Sequence, residues 1–97
     1  MMASAVSRVK RALGSLADSV GRKRDGSIVI RRGFYYRHGQ DAESYRIAVC
    51  RCLNKQEGMP YSLKDYGEHW TSFRGGASID RQSHWFVEIW PDFERNA

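Results

Sequence analysis

Three things are scarce in this chain, and each scarcity removes a class of function. Cysteine occurs twice, in Cys50-Arg51-Cys52. On a helix these thiols stand about 200° apart and cannot bridge each other. No histidine pattern with ligand spacing accompanies them, so no zinc site or other metal is expected. Free thiols and a reducing, cytoplasmic compartment are the expectation. Long apolar runs are also missing. Nothing approaches the roughly 20 residues of a membrane span, and no secretory hydrophobic region is present. A membrane partner is therefore not expected. Acidic residues are scarce in the first part of the chain. Residues 1–40 hold nine Lys/Arg and two acids, a balance of +7, whereas residues 41–97 hold seven Lys/Arg and nine acids, a balance of −2. Basic character confined to one part of a chain points to a polyanion or to an acidic protein face.

No internal repeat or low-complexity segment breaks the 97 residues, and the length fits one domain. The spacing divides it into a basic amphipathic helix and turn over 1–24, an α+β core over 27–91 and a polar tail over 92–97. No motif names a reaction, so neither an enzyme nor a cofactor is expected.

What is present is aromatic. Residues 66–90 place two aromatic-rich strand candidates around a long polar loop. After the loop, Ser83, Trp85, Val87 and Ile89 alternate with His84, Phe86, Glu88 and Trp90, the period of a strand. The first set is almost wholly apolar and the second mixes aromatics with ionisable groups, which suits a central strand covered on one side. Pro91 ends it.

Earlier in the chain, Val6, Val9, Leu13, Leu16 and Val20 recur at three and four, predicting a helix over 3–21. The stripe also fits a short coiled-coil seam, so a homodimer through this helix is an alternative. Its Arg- and Ser-rich, acid-poor composition is also how an organelle transit peptide reads, a lesser alternative. Residues 22–26 read as a basic turn, and Ser27–His38 as the first strand, with Gly33 marking a bulge. Asp41 is a good N-cap for a helix over 42–57, on which Ala42, Tyr45, Ala48, Val49, Cys52 and Leu53 share a face. Gly58 and Pro60 stop it. The second strand is Tyr61–Glu68. The order α-β-α-β-β predicts a small three-stranded mixed sheet, order 1-3-2, with the last strand central and the second helix on one face. The first helix then covers the other face or leaves it open.

That routing brings one end of each strand to a common edge. His38, His69 and His84 would meet there with Arg37, Trp70, Arg74, Arg81, Phe86 and the Gly75-Gly76 pair, beside the positive end of the second helix. Arginine forks suit phosphate or carboxylate, and successive glycine amides can cradle an anion. Arg8, Lys10, Arg11, Arg22, Lys23, Arg24, Arg31 and Arg32 would add a basic patch. Three functions compete. One is a binding surface for nucleic acid or a nucleoprotein, with arginines on phosphates and aromatics on bases. Another is metal-independent cleavage of RNA, with His84 and either His69 or His38 as acid and base. The third is a protein-interaction module with an aromatic face.

Two resemblances accompany these readings. Arg81-Gln82-Ser83-His84, followed by strand and Pro91, resembles the Gly-Ser-His segment of HicA-type RNA-targeting toxins, with Gln82 in place of the glycine. That resemblance implies that His84 carries activity. The stretch Tyr66-Gly67-Glu68-His69-Trp70 through Ser83-His84-Trp85-Phe86-Val87 resembles small accessory proteins of phages and other mobile elements. It implies a host-cytoplasmic inhibitor or adaptor, of anti-CRISPR type, acting on a host nucleoprotein such as a defence complex.

Overall fold

The computed structural model of the protein describes residues 4–33, 41–69 and 83–95. Its elements are α1 (Ala5–Leu13), β1 (Ser19–Arg22), β2 (Ile28–Gly33), α2 (Ala42–Asn54), β3 (Ser62–His69) and β4 (His84–Trp90), with single 3-10 turns at Gly14–Leu16 and Asp92–Glu94. The four strands form one antiparallel sheet in the order β1-β2-β4-β3.

The register explains the core. Ile28 faces Ile89, Ile30 faces Val87 and Arg32 faces Trp85 on one side of the sheet. Leu63, Tyr66 and Glu68 of β3 stand opposite Ile89, Val87 and Trp85. Both helices pack on this side. Ala5, Val9 and Leu13 of α1 and Tyr45, Val49 and Leu53 of α2 close over Ile28, Ile30, Trp85, Val87 and Ile89. Val87 is wholly buried and Trp85 is 3% exposed. Trp85 stacks on Tyr45, with ring centroids 5.7 Å apart. The Tyr45 hydroxyl donates to the Leu16 carbonyl at 2.9 Å, and burial pushes that phenol well above its ordinary range.

Two expectations about the N-terminal part are corrected. The helix does not run over 3–21: it ends at Leu13, where Gly14 takes φ +55 and its N–H reaches back to the Lys10 carbonyl. A glycine in the left-handed region is a usual helix stop. The apolar spacing continues past it by coincidence, because Leu16 packs from a 3-10 turn and Val20 from a strand, opposite Ile30. The sheet therefore has four strands and not three, and every neighbouring pair is antiparallel. Asp25-Gly26 is the signal for the extra strand, since Asp-Gly between short apolar runs marks a hairpin. Gly26 adopts φ +93 and donates to the Lys23 carbonyl at 3.0 Å. The Asp25 carboxylate accepts from the Ser27 backbone at 2.9 Å and from its hydroxyl at 2.6 Å.

Smaller corrections follow the same lines. The described part of the first strand is Ile28–Gly33, and Gly33 pairs in register with His84; the sheet's irregularity lies instead in β3, between Leu63 and Asp65. The second helix stops at Asn54, and Gly58 turns the chain four residues later with φ +71. Residues 92–95 are not merely a polar tail. Phe93 is buried, donates its N–H to the Pro60 carbonyl at 2.9 Å, and carries the Arg8 guanidinium 4.7 Å above its ring. Ala5, Val9 and Leu13 of α1 pack within the chain, in one core with α2 and the sheet. No helix among the described residues is long and apolar enough to cross a membrane.

Both helices lie on one side, so no described helix covers the other. Its inhabitants form rows across the strands. Gly33, His84 and His69 make the outermost row; Ser19, Arg31, Phe86 and Gly67 make the next; Gly21, Val29, Glu88 and Asp65 the third; Trp90 and Ser62 the last.

Candidate functional site

The open face divides into two halves with different electrostatics. In the half nearest the β1–β2 turn, Glu88 is only 9% exposed. Lys23 Nζ lies 2.9 Å from one of its carboxylate oxygens and Lys64 Nζ 3.5 Å from the other. Lys64 also bonds Asp25 Oδ2 at 2.5 Å and sits 5.1 Å from the centroid of the Trp90 ring. The Lys64 bond holds the Asp25 carboxyl far below the usual carboxylate range, and the Asp25 bond in turn raises the lysine. Lysine and carboxylate charges thus cancel here.

The other half is different. Phe86 lies across Gly67, where an added Cβ would come within 3.2 Å of the ring atoms Cε1 and Cζ. The glycine is therefore what lets the ring come this close to β3. Arg31 stands directly across the ladder from Phe86, exposed, and forms no ion pair among the described residues. His69 and His84 face each other across β3 and β4, with ring centroids 5.0 Å apart and planes tilted by 31°. Together Val29, Arg31, His69, His84, Phe86 and Glu88 line a hollow of about 160 Å³.

Of the residues singled out in the sequence, His69, His84 and Phe86 meet here. Arg37, His38, Trp70, Arg74, Gly75, Gly76 and Arg81 lie outside the described residues. The N-terminus of α2 is at the same end of the sheet but on its other side, where Asp41 and Ser44 share a cavity of about 80 Å³ with Arg32, Tyr45 and Trp85. The Asp41 carboxylate caps it, accepting from Ser44 N–H at 2.8 Å; that bond lowers the Asp41 carboxyl below its ordinary value.

The eight-residue basic patch is dispersed. Lys23 and Arg31 belong to the open side, and Arg32 to the helix side. Arg22 forms a bidentate pair with Glu94 at 2.7 and 2.8 Å. Arg8 is turned onto Phe93 and the Gly58 carbonyl. Lys10 and Arg11 are exposed on α1 and Arg24 in the hairpin turn. Strand alternation separates Arg31 from Arg32, and a stripe read along the sequence does not register this. Lys64 and Gly67 are residues of this face that the sequence reading missed. A glycine inside a strand is the signal that a neighbouring group lies close.

A wider depression of about 420 Å³ beyond the C-terminus of α2 is lined by Leu53, Asn54, Gln56, Gly58, Met59, Pro60 and Tyr61. Its phenol is already bound to Asn54 Oδ1 at 2.8 Å, so it offers no charged or free titrating group. Among the described residues no cluster of three or more His, Cys, Asp or Glu is placed to hold a metal ion. No protein-family model matches the chain, and no curated protein or solved structure matches it significantly.

Proposed function

We propose that this is a small non-enzymatic binding protein that engages nucleic acid through the open face of its sheet. The observation that carries the reading is the Arg31–Phe86–Gly67 row beside the His69–His84 pair. A cation and a flat aromatic ring stand side by side on a surface that no described helix covers. Phosphate neutralisation and base stacking need those two groups in that proximity. A salt titration of binding to a labelled oligonucleotide tests the reading. Each phosphate contact contributes about 0.7–0.9 to the slope of log K against log salt. Arg31→Gln should flatten the slope by about one such step, whereas Arg95→Gln should leave it unchanged. Equal slopes for both variants would remove the open face from the interface. The resemblance to mobile-element proteins extends the reading to a host nucleoprotein as target; capture from lysate that survives nuclease treatment would favour that form.

A second reading rests on the apposed imidazoles. Two histidines at one hollow can serve as acid and base in RNA cleavage. In-line displacement places attacking and leaving oxygens on opposite sides of phosphorus, whereas these rings face one another at 5.0 Å. Both therefore more readily address the same side of a phosphate, which favours binding over cleavage. Loss of RNA cleavage in His84→Ala at unchanged RNA affinity would reverse that ranking.

A further inference from the structure

We infer that the ligand is single-stranded, and that the rim takes one unpaired nucleotide with its base on Phe86 and its phosphate among Arg31, His69 and His84. The inference rests on the reading that the open face binds nucleic acid, and it specifies which form.

Two aromatic side chains of β4 point to this face, Phe86 and Trp90, and they are not equivalent. Trp90 already carries the Lys64 ammonium, 5.1 Å from its ring centroid. Phe86 has its ring atoms Cε1 and Cζ close against Gly67, and among the described residues no cation or second ring lies against it. Among the described residues, the stacking position left without a cation or a second ring is thus the one at the rim end.

The phosphate position follows from the rows. Arg31 is beside Phe86 across the ladder, and the His84–His69 row lies two residues further along, about 7 Å away on the pleat. That is the scale separating a base from its own phosphate. A guanidinium fork and imidazole N–H groups are suitable donors for phosphate oxygens. The hollow, about 160 Å³, has Glu88 at its inner end, bracketed by Lys23 and Lys64; at its Arg31–histidine end it admits a phosphate and part of a sugar, and it is too small for a base pair. In the other direction the face offers Glu88 and Asp65 next to Phe86. The lysines that bracket Glu88 are held by carboxylates. A second phosphate there meets a neutralised surface, so the strand should cross the rim rather than follow β4.

A duplex presents phosphates to Arg31 but keeps its base faces stacked inside, so it cannot use Phe86. The preference for unpaired over paired ligand thus belongs to the ring, and the shared affinity to the arginine. Fluorescence anisotropy with labelled ten-nucleotide oligouridine and oligodeoxythymidine, and with ten-base-pair RNA and DNA duplexes at the same salt, separates the two. Single strands should bind at least tenfold more tightly than duplexes. Phe86→Leu should remove most of that ratio, while Arg31→Gln weakens all ligands alike. Should Phe86→Leu fail to fold, Gly67→Ala displaces the ring and should lower single-strand affinity severalfold with duplex affinity unchanged. Preference for oligouridine alone still supports the inference and adds a 2′-hydroxyl contact. Equal affinity for single and double strands, with Arg31→Gln still weakening both, overturns the inference and leaves the broader reading standing. Binding to none of the four ligands overturns both.

Discussion

Trp85 and Phe86 are consecutive residues of one strand and live in different surroundings. Trp85 points under two helices and is stacked on Tyr45. Phe86 points to the side that no described helix covers and lies on a glycine. The middle of the helix side is filled by apolar groups, with the polar residues Arg32 and Glu68 confined to its end beside Trp85. The open side holds a carboxylate with two lysines, two histidines and an arginine on a background of glycine and valine. Stability is concentrated on the first side, and recognition is assigned to the second. Substitutions on the two sides should therefore fail in different assays.

The largest effect is expected on the helix side. Trp85→Ala should cost about 3–5 kcal/mol, the usual loss for a buried large aromatic, measured by urea unfolding. In a chain this small that removes much of the stability. Glu88→Gln comes next. It leaves the lysines without their shared carboxylate and should cost about 1–2 kcal/mol, while raising affinity for oligonucleotides because the face becomes more positive. A stabilised variant, or one that binds less well, would contradict the charge balance described for this half. Phe86→Ala should cost no more than about 1 kcal/mol of stability and still lose roughly tenfold in single-strand binding. A stability loss as large as that of Trp85→Ala would mean that the two sides do not differ as described.

The smallest effects belong to the surface ion pairs. Asp25, Glu43 and Glu94 are held below their ordinary carboxyl range by bonds from Lys64, Arg46 and Arg22 respectively. Carboxyls depressed in the folded state contribute stability that is fully present above their unfolded values, near pH 4. That contribution is lost as the pH falls through the folded values. Thermal midpoints should therefore decline below about pH 4, and Asp25→Asn should decline less steeply than the parent. Parallel curves for the two proteins would show that the turn carboxylate is not coupled to folding. At neutral pH, Glu94→Gln should change stability by less than about 1 kcal/mol, as expected of an exposed pair.

Edge protection follows the same division of labour. β3 is an outer strand and carries the two large apolar residues that are notably exposed among the described residues, Leu63 at 40% and Tyr66 at 37%. It is guarded nonetheless. A register irregularity interrupts it, the Asp65 carboxylate accepts the Tyr66 N–H at 2.9 Å, and Arg46 covers the Tyr66 ring at 5.2 Å. The Tyr66 hydroxyl donates to Glu43 at 2.5 Å, a bond that raises the phenol above its ordinary value. Irregularities and charges on an outer strand discourage pairing with a second chain.

Much of the sheet was legible because alternation is a strong local signal. The period-two pattern of residues 83–90 identifies the strand, and its apolar set identifies the covered side. The wheel of the second helix likewise picks out Tyr45, Val49 and Leu53, all buried. The N-terminal segment was misread because Leu16 and Val20 happen to keep helical spacing after Gly14 has ended the helix. The candidate site was only partly legible. His69, His84 and Phe86 could be placed on it from strand ends and alternation. Gly67 could be read only as a place of close approach, and Lys64 not at all, since their roles depend on which strand lies beside Phe86 and Trp90.

By itself the sequence determined the local periods: which residues alternate, where glycine and proline interrupt, and that β4 has one apolar set and one mixed set. Those are properties of neighbours along the chain, set by backbone geometry. Only the tertiary structure decided that both helices lie on the same side. Only it decided that Arg31 and Arg32 part company across the sheet, that Lys23 and Lys64 meet at Glu88, and that Phe86 rests on Gly67. Each of these joins residues distant in sequence. They depend on which strands become neighbours and in what register, and a one-residue slip would send every one of these side chains to the opposite side.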